Sequence, residues 1–139
     1  MSKTREIVLS LDELDELCKL LPNEGVILLQ GDLASGKTSL VQAFAKFKGI
    51  KEEPSSPTFS VMQSYENENG FKLFHYDIYQ NGFKALLENG LFENFFEKGL
   101  HLVEWGDEKL YEYLKNFGIE AKKIQISNLK DKRKYQIYE

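Results

Sequence analysis

Arginine is nearly absent from this chain: only Arg5 and Arg133 carry a guanidinium among 139 residues. So few guanidiniums leave no room for an arginine-bearing lid over a phosphate. Cysteine is scarcer still. Cys18 alone permits no intramolecular disulfide and no cysteine-rich zinc site. It shares a helical stripe with Leu11, Leu14, Leu17 and Leu21, which reads as core rather than as a nucleophile. His75 and His101 lie within strand-like runs, with no second His or Cys at ligand spacing, so both read as packed strand residues. No apolar run approaches a membrane span, and no N-terminal segment has the apolar core of a signal peptide. These absences predict a cytoplasmic protein without membrane contact.

What is present fits one compact domain over residues 1–139. Hydrophobic residues make up 42% and charged residues 29% of the chain, ordinary values that exclude a disordered one. Charge is uneven. Lys122 to Lys134 holds six bases and one acid, against twelve bases and twenty-one acids elsewhere. A basic patch can meet nucleic acid, but a solvated loop between two strands is the favoured reading.

The most informative segment is Gly31-Asp32-Leu33-Ala34-Ser35-Gly36-Lys37-Thr38, which matches G-x-x-x-x-G-K-[ST] at every fixed position. Its context suits the motif. Val26–Leu29 is a short apolar run fit for a buried strand, and Thr38 to Phe47 reads as a helix. The glycines let the chain wrap a phosphate with N–H groups pointing inward, and the helix N-terminus adds positive potential. Lys37 can reach the β- and γ-phosphates and Thr38 can bind Mg²⁺, so Gly31 to Thr38, with Ser39 beyond, form the expected nucleotide site.

Around it, Thr4 to Leu9 reads as a strand, and Ser10 with Glu13 has the spacing of a capping box opening a helix to about Leu20. Phe59–Glu66 and Phe71–Ile78 flank Asn67-Glu68-Asn69-Gly70, a hairpin turn. Short helical pieces follow at Phe83–Leu87 and Leu91–Lys98, then a strand at Leu100–Trp105 and a helix over Asp107–Phe117. Ile119–Ile126 and Arg133–Tyr138 can form a closing strand pair. The sum is an α/β fold: a single-domain P-loop NTPase whose mixed sheet is parallel near the nucleotide, antiparallel elsewhere and flanked by helices.

A P-loop needs a carboxylate at the end of a neighbouring strand to hold Mg²⁺. Two runs offer one: Leu100-His101-Leu102-Val103-Glu104 and Leu73-Phe74-His75-Tyr76-Asp77. One acid on the metal and the other positioning a water is a simple division of labour. Thr58, after Ser55-Ser56-Pro57, either senses the γ-phosphate as switch loops do or merely starts a strand. Trp105, the only tryptophan, follows Glu104. Period-two alternation turns it to the opposite face while keeping it near the site.

Gly31-Asp32-Leu33-x-x-Gly36-Lys37-Thr38, Ser56-Pro57-Thr58-Phe59, His75-Tyr76-Asp77-Ile78-Tyr79 and Val103-Glu104-Trp105 stand in the order and spacing of the TsaE (YjeE) family, which the chain resembles over nearly its whole length. The resemblance implies an ATPase, weak alone, that binds ATP or ADP with Mg²⁺ and serves TsaB- and TsaD-like partners. Those partners make threonylcarbamoyladenosine in tRNA, which makes tRNA a candidate indirect partner through the complex. By the same resemblance, Thr38 and Glu104 would be Mg²⁺ ligands, and Lys37, Asp77 and Thr58 the catalytic set. Lys132 and Arg133 would lie near the nucleotide, with Ser10 and Leu11 near its base. The chain departs from the family at Ala34-Ser35, where Gly-Ala is usual, and at Gln80, where Arg is usual.

The leading alternative is a small-molecule or nucleoside kinase, which shares the motif but usually carries an arginine-bearing lid. Two arginines argue against it. A guanine-specific switch lacks its D-x-x-G element here, and Asn128-Leu129-Lys130-Asp131 has the letters of N-K-x-D in the wrong order. A nucleotide sensor without hydrolysis is disfavoured only mildly, by Asp77 and Glu104.

Overall fold

A computed structural model describes residues 2–32, 35–55, 61–79 and 82–139. Its centre is a strand with no polar residue between its ends. Val26, Ile27, Leu28 and Leu29 are all buried, because β2 (Gly25–Gln30) is covered on both faces. β2 pairs in parallel with β5 (Leu100–Glu104) on one side and β6 (Ala121–Asn128) on the other. β4 (Lys72–Asp77) extends the parallel set beyond β5. Antiparallel strands close both ends: β3 (Met62–Glu66) on β4, and β7 (Arg133–Tyr138) on β6, followed by β1 (Lys3–Leu9). The seven-stranded order is β1-β7-β6-β2-β5-β4-β3.

Alternation sorts the side chains to two cores. On one face, Ile27, Leu29, Leu73, Leu100, Leu102 and Ile124 pack under α1 (Leu14–Cys18) and α2 (Lys37–Phe47) through Leu17, Leu40, Val41 and Phe44. On the other, Val26, Leu28, Phe74, Tyr76 and Val103 meet α3 (Gly82–Glu88) and α4 (Glu108–Asn116) through Leu86, Leu110 and Leu114. A 3₁₀ segment, Leu91–Phe96, adds Phe92 and Phe95 there. Asp77, Glu104 and Gln30 end three adjacent parallel strands, so the first face meets the helix N-terminus of α2 at the carboxyl edge of the sheet.

Several boundaries differ from expectation. The first helix is shorter than the apolar stripe suggests: a 3₁₀ turn at Leu11–Glu13 leads into α1, and the chain tightens to i→i+3 bonds at Leu20 and Leu21. Pro22 disfavours the α conformation at the residue before it. The short helical piece expected at Leu91–Lys98 is a 3₁₀ helix that ends at Phe96. Among the described residues β3 begins at Met62, because Val61 has φ 67°. β5 ends at Glu104 for the same kind of reason, since Trp105 has φ 64°. The turn at Asn67–Gly70 is present, with Asn67 Oδ1 accepting from the N–H groups of Asn69 and Phe71. The basic run is split: Leu129 to Lys132 joins β6 to β7, Lys122 pairs with Glu139, and Lys123 lies over Tyr138. Cys18 is buried, which pushes its thiol up to about 12 and leaves it inert.

Candidate functional site

The loop from β2 to α2 works by close approach. A Cβ on Gly31 would stand 2.6 Å from the backbone carbonyl of Ile126 on β6, so the chain can enter this loop only through glycine. Gly36 caps α2 at φ 99°, and a Cβ there would meet the Arg133 guanidinium at 2.0 Å. Between them, Ser35 is buried and its N–H donates to the Asp32 carbonyl at 3.0 Å. Leu33 and Ala34 lie outside the described residues, as do Thr58 and Gln80.

Lys37 is buried inside the loop. Its Nζ donates to the carbonyls of Gly31 (2.8 Å) and Asp32 (2.9 Å) and lies 3.3 Å from Ser35 Oγ. Burial lowers its pKa, and the carboxylates of Glu104, Asp77 and Asp32 partly restore it. The same ammonium stands 3.9 Å from the centroid of the Trp105 ring, a cation–π contact. Trp105 is thus near the site, but the expected strand alternation does not apply to it. Its left-handed backbone, costly for an aromatic residue, turns it out of the ladder while its N–H still bonds Leu29 O at 2.9 Å.

In the first turn of α2, Thr38 bonds the end of β5 and Ser39 is half-buried. Thr38 Oγ1 lies 2.9 and 2.8 Å from the two carboxylate oxygens of Glu104, itself only 4% exposed. Asp77 is the register partner of Glu104 on β4, so both carboxylates point to the α2 face. Its Oδ1 accepts from Tyr79 N–H at 3.0 Å, and its own N–H donates to the carbonyl of Val61, the other left-handed residue. The two candidate acids are therefore neighbours around the start of one helix. Hydroxyl and carboxylate oxygens are the hard donors Mg²⁺ prefers, so Thr38 and Glu104 fit that ion.

One contact was not foreseen. His75, fully buried, places Nε2 2.5 Å from Glu104 Oε2. The signal was in the sequence all the same: His75 and Asp77 are two apart on one strand and so share a face. His101 lies on the opposite face, as structural packing. Its Nε2–H donates to Glu97 O at 2.9 Å, its Nδ1 accepts from Tyr76 O–H at 2.7 Å, and its ring stacks on Phe74.

The C-terminal hairpin reaches the same place. Arg133 Nε is 3.3 Å from Asn128 Oδ1, while Nη1 is buried against Gly36 without a partner among the described residues. Arg133 and Lys132 line an open pocket of about 330 Å³ with Leu9, Leu11 and Asn128. Ser10 sits in its capping box, with its N–H donating to Glu13 Oε1 at 2.9 Å. A larger hollow of about 840 Å³ lies at the opposite edge of the sheet, between Phe47, Phe71 and Gly99, away from all of these groups.

A glycine-rich loop between a central parallel strand and a helix, with a lysine inside and an acid at the adjacent strand end, defines a P-loop NTPase fold. Solved structures agree: YdiB of Bacillus subtilis matches with a TM-score of 0.64 and 26% identity, over 99% of this chain and 87% of that one. The chain belongs to the TsaE family, whose model, described as threonylcarbamoyl adenosine biosynthesis protein TsaE, matches residues 8–136. Among curated relatives, the tRNA threonylcarbamoyladenosine biosynthesis protein TsaE of Aquifex aeolicus is 33% identical over 112 residues, 76% of this chain and 79% of that protein. The protein of the same description from Bacillus subtilis is 34% identical over 110 residues, 73% and 68% of the two chains. That from Treponema pallidum is 36% identical over 90 residues, which span 65% of its length, just under two thirds.

Proposed function

We propose that this protein binds and hydrolyses ATP with Mg²⁺, and that it does so in support of TsaB- and TsaD-like partners that place threonylcarbamoyladenosine in tRNA. The observation that carries the reading is the Thr38–Glu104 pair at the start of α2, with Lys37 beside it and Asp77 in register. Bound Mg²⁺ would supply charge neutralisation at the phosphates. The protein's own groups do the rest. Backbone N–H groups of the loop and the N-terminus of α2 hold the phosphate chain. Lys37, held over Trp105, donates to its terminal oxygens, and the unpartnered Nη1 of Arg133 stands ready beside Gly36 as a further donor. Asp77, in register with Glu104, would orient the attacking water.

Weak turnover by the isolated chain follows from its arginines. Arg133 is on the C-terminal hairpin and Arg5 is on the edge strand β1, so the P-loop is left with one guanidinium of its own. A partner that completes the site or adds a cation would raise the rate. The test is ATP turnover by the pure chain, with and without its TsaB- and TsaD-like partners, with GTP and Lys37→Ala as controls. Low basal ATP hydrolysis that rises with the partners and vanishes in Lys37→Ala is the expected result. Turnover indifferent to the partners would remove the tRNA-modification role and bring the kinase alternative forward.

A further inference from the structure

The contact the P-loop mechanism does not use is the one between His75 and Glu104. Four facts define it. His75 has no exposed surface, and its Nε2 stands 2.5 Å from Glu104 Oε2. That same oxygen lies 2.8 Å from Thr38 Oγ1, so histidine and threonine converge on one carboxylate. The other ring nitrogen, Nδ1, is buried and has no hydrogen-bond partner among the described residues. Finally, β4 and β5 pair in parallel with His75 opposite Leu102 and Asp77 opposite Glu104, so the ring sits one pleat below both acids.

We propose that His75 is a positioning residue for the divalent cation: through Nε2–H it pins the Glu104 carboxylate in the rotamer that presents its oxygens toward Thr38. The ring is suited to this. With the proton on Nε2, the outward nitrogen donates and Nδ1 carries only a lone pair, so no N–H is left unsatisfied in the core. A glutamate has three rotatable bonds before its carboxylate, and a ligand free to swing loses entropy on every binding event. A buried donor that holds one oxygen removes that freedom in advance, and such outer partners typically govern metal affinity by about 10- to 100-fold. The backbone of β4 holds the ring itself, because the ladder on both sides of β4 fixes His75 as rigidly as the sheet. His75 touches neither nucleotide nor reacting atoms in this arrangement; it acts only through Glu104.

This inference rests on the Mg²⁺-dependent nucleotide reading above, and the experiment separates the two. Nucleotide affinity is followed by Trp105 fluorescence, which the Lys37 contact makes sensitive to the loop. ADP is titrated in EDTA and then at increasing Mg²⁺ for the wild type, His75→Leu and His75→Gln. Glutamine keeps an N–H donor at the distal position, whereas leucine keeps only bulk. In His75→Leu the Mg²⁺ concentration at half-effect should rise by about 10-fold or more, while ADP affinity in EDTA stays within about twofold. His75→Gln should recover most of that loss. An unchanged Mg²⁺ midpoint in His75→Leu overturns the role of His75, as does a loss that is equal with and without Mg²⁺. A His75→Gln variant as impaired as His75→Leu, with both folded by circular dichroism, also overturns it. A wild type that binds nucleotide identically with and without Mg²⁺ would instead bring down the functional reading, and this inference with it.

Discussion

At the scale of single residues the site divides its two carboxylates by surroundings rather than by type. Glu104 is buried and shared between Thr38 and His75, whereas Asp77 is half-buried and bonded to a backbone N–H at the strand end. On the proposed reading, that difference would give the metal to Glu104 and the water to Asp77. Glu104→Ala should weaken Mg²⁺-dependent nucleotide binding more than Mg²⁺-free binding. Equal losses in paired titrations would remove Glu104 from the metal shell. Asp77→Ala should leave binding nearly intact and lower turnover by about 10²- to 10⁴-fold, the usual range for a lost general base. Unchanged turnover would leave Asp77 a strand-end residue and no more. Both acids and the lysine were legible in the sequence, because a fixed-spacing motif and a hydrophobic run ending in a carboxylate are local signals. The His75 contact was not read, since a single histidine in an apolar run looks like packing until the register of two distant strands is known.

At the scale of elements, β4 and β5 carry a histidine each to opposite faces, and the second serves stability. Burial holds the His101 pKa below its ordinary 6.5, although hydrogen bonding to the Glu97 carbonyl and the nearby Glu97 charge oppose this. The unfolded chain therefore takes up a proton before the folded one does. Stability is present in full above pH 6.5 and declines as pH falls below it. His101→Phe keeps a flat ring against Phe74 but strands the Tyr76 hydroxyl and the Glu97 carbonyl, for a loss of about 1–3 kcal/mol at pH 8. Its urea midpoint should then fall less steeply than the wild type's between pH 6.5 and 5. Parallel slopes would show that other groups carry the acid sensitivity. Element boundaries were the least legible feature. The left-handed backbone at Val61 and Trp105 runs against the preference of both side chains, and no propensity announces it.

The whole molecule is organised so that every part of the sheet contributes to one edge. β2 delivers the loop, β4 and β5 the carboxylates, and the β6–β7 hairpin returns from the far side to lay Arg133 on Gly36. Fold class was readable because the alternation of short apolar runs with helical stretches leaves few ways to cover a parallel sheet on both faces. The place of the hairpin against the loop was legible only through the family resemblance that set Lys132 and Arg133 near the nucleotide, since physically it depends on long-range pairing of β7 with β1 as well as β6. On the proposed reading this arrangement would couple ligand to fold: a nucleotide held by the loop, the strand ends and the hairpin would bind the native state and not the unfolded chain. At a free Mg²⁺–ADP concentration 100 times the dissociation constant, the stabilisation should be about 2.7 kcal/mol. For a domain of this size, each kcal/mol raises Tm by about 4 °C, so a scan should shift by roughly 10 °C. Lys37→Ala should show no shift, because it removes the cation inside the loop. Arg133→Ala should retain a reduced one, because the hairpin's donor is lost while the loop, Thr38 and Glu104 remain. A full shift in Arg133→Ala would mean that the guanidinium packs on Gly36 for structural reasons alone, and that the nucleotide is held by the parallel half of the sheet.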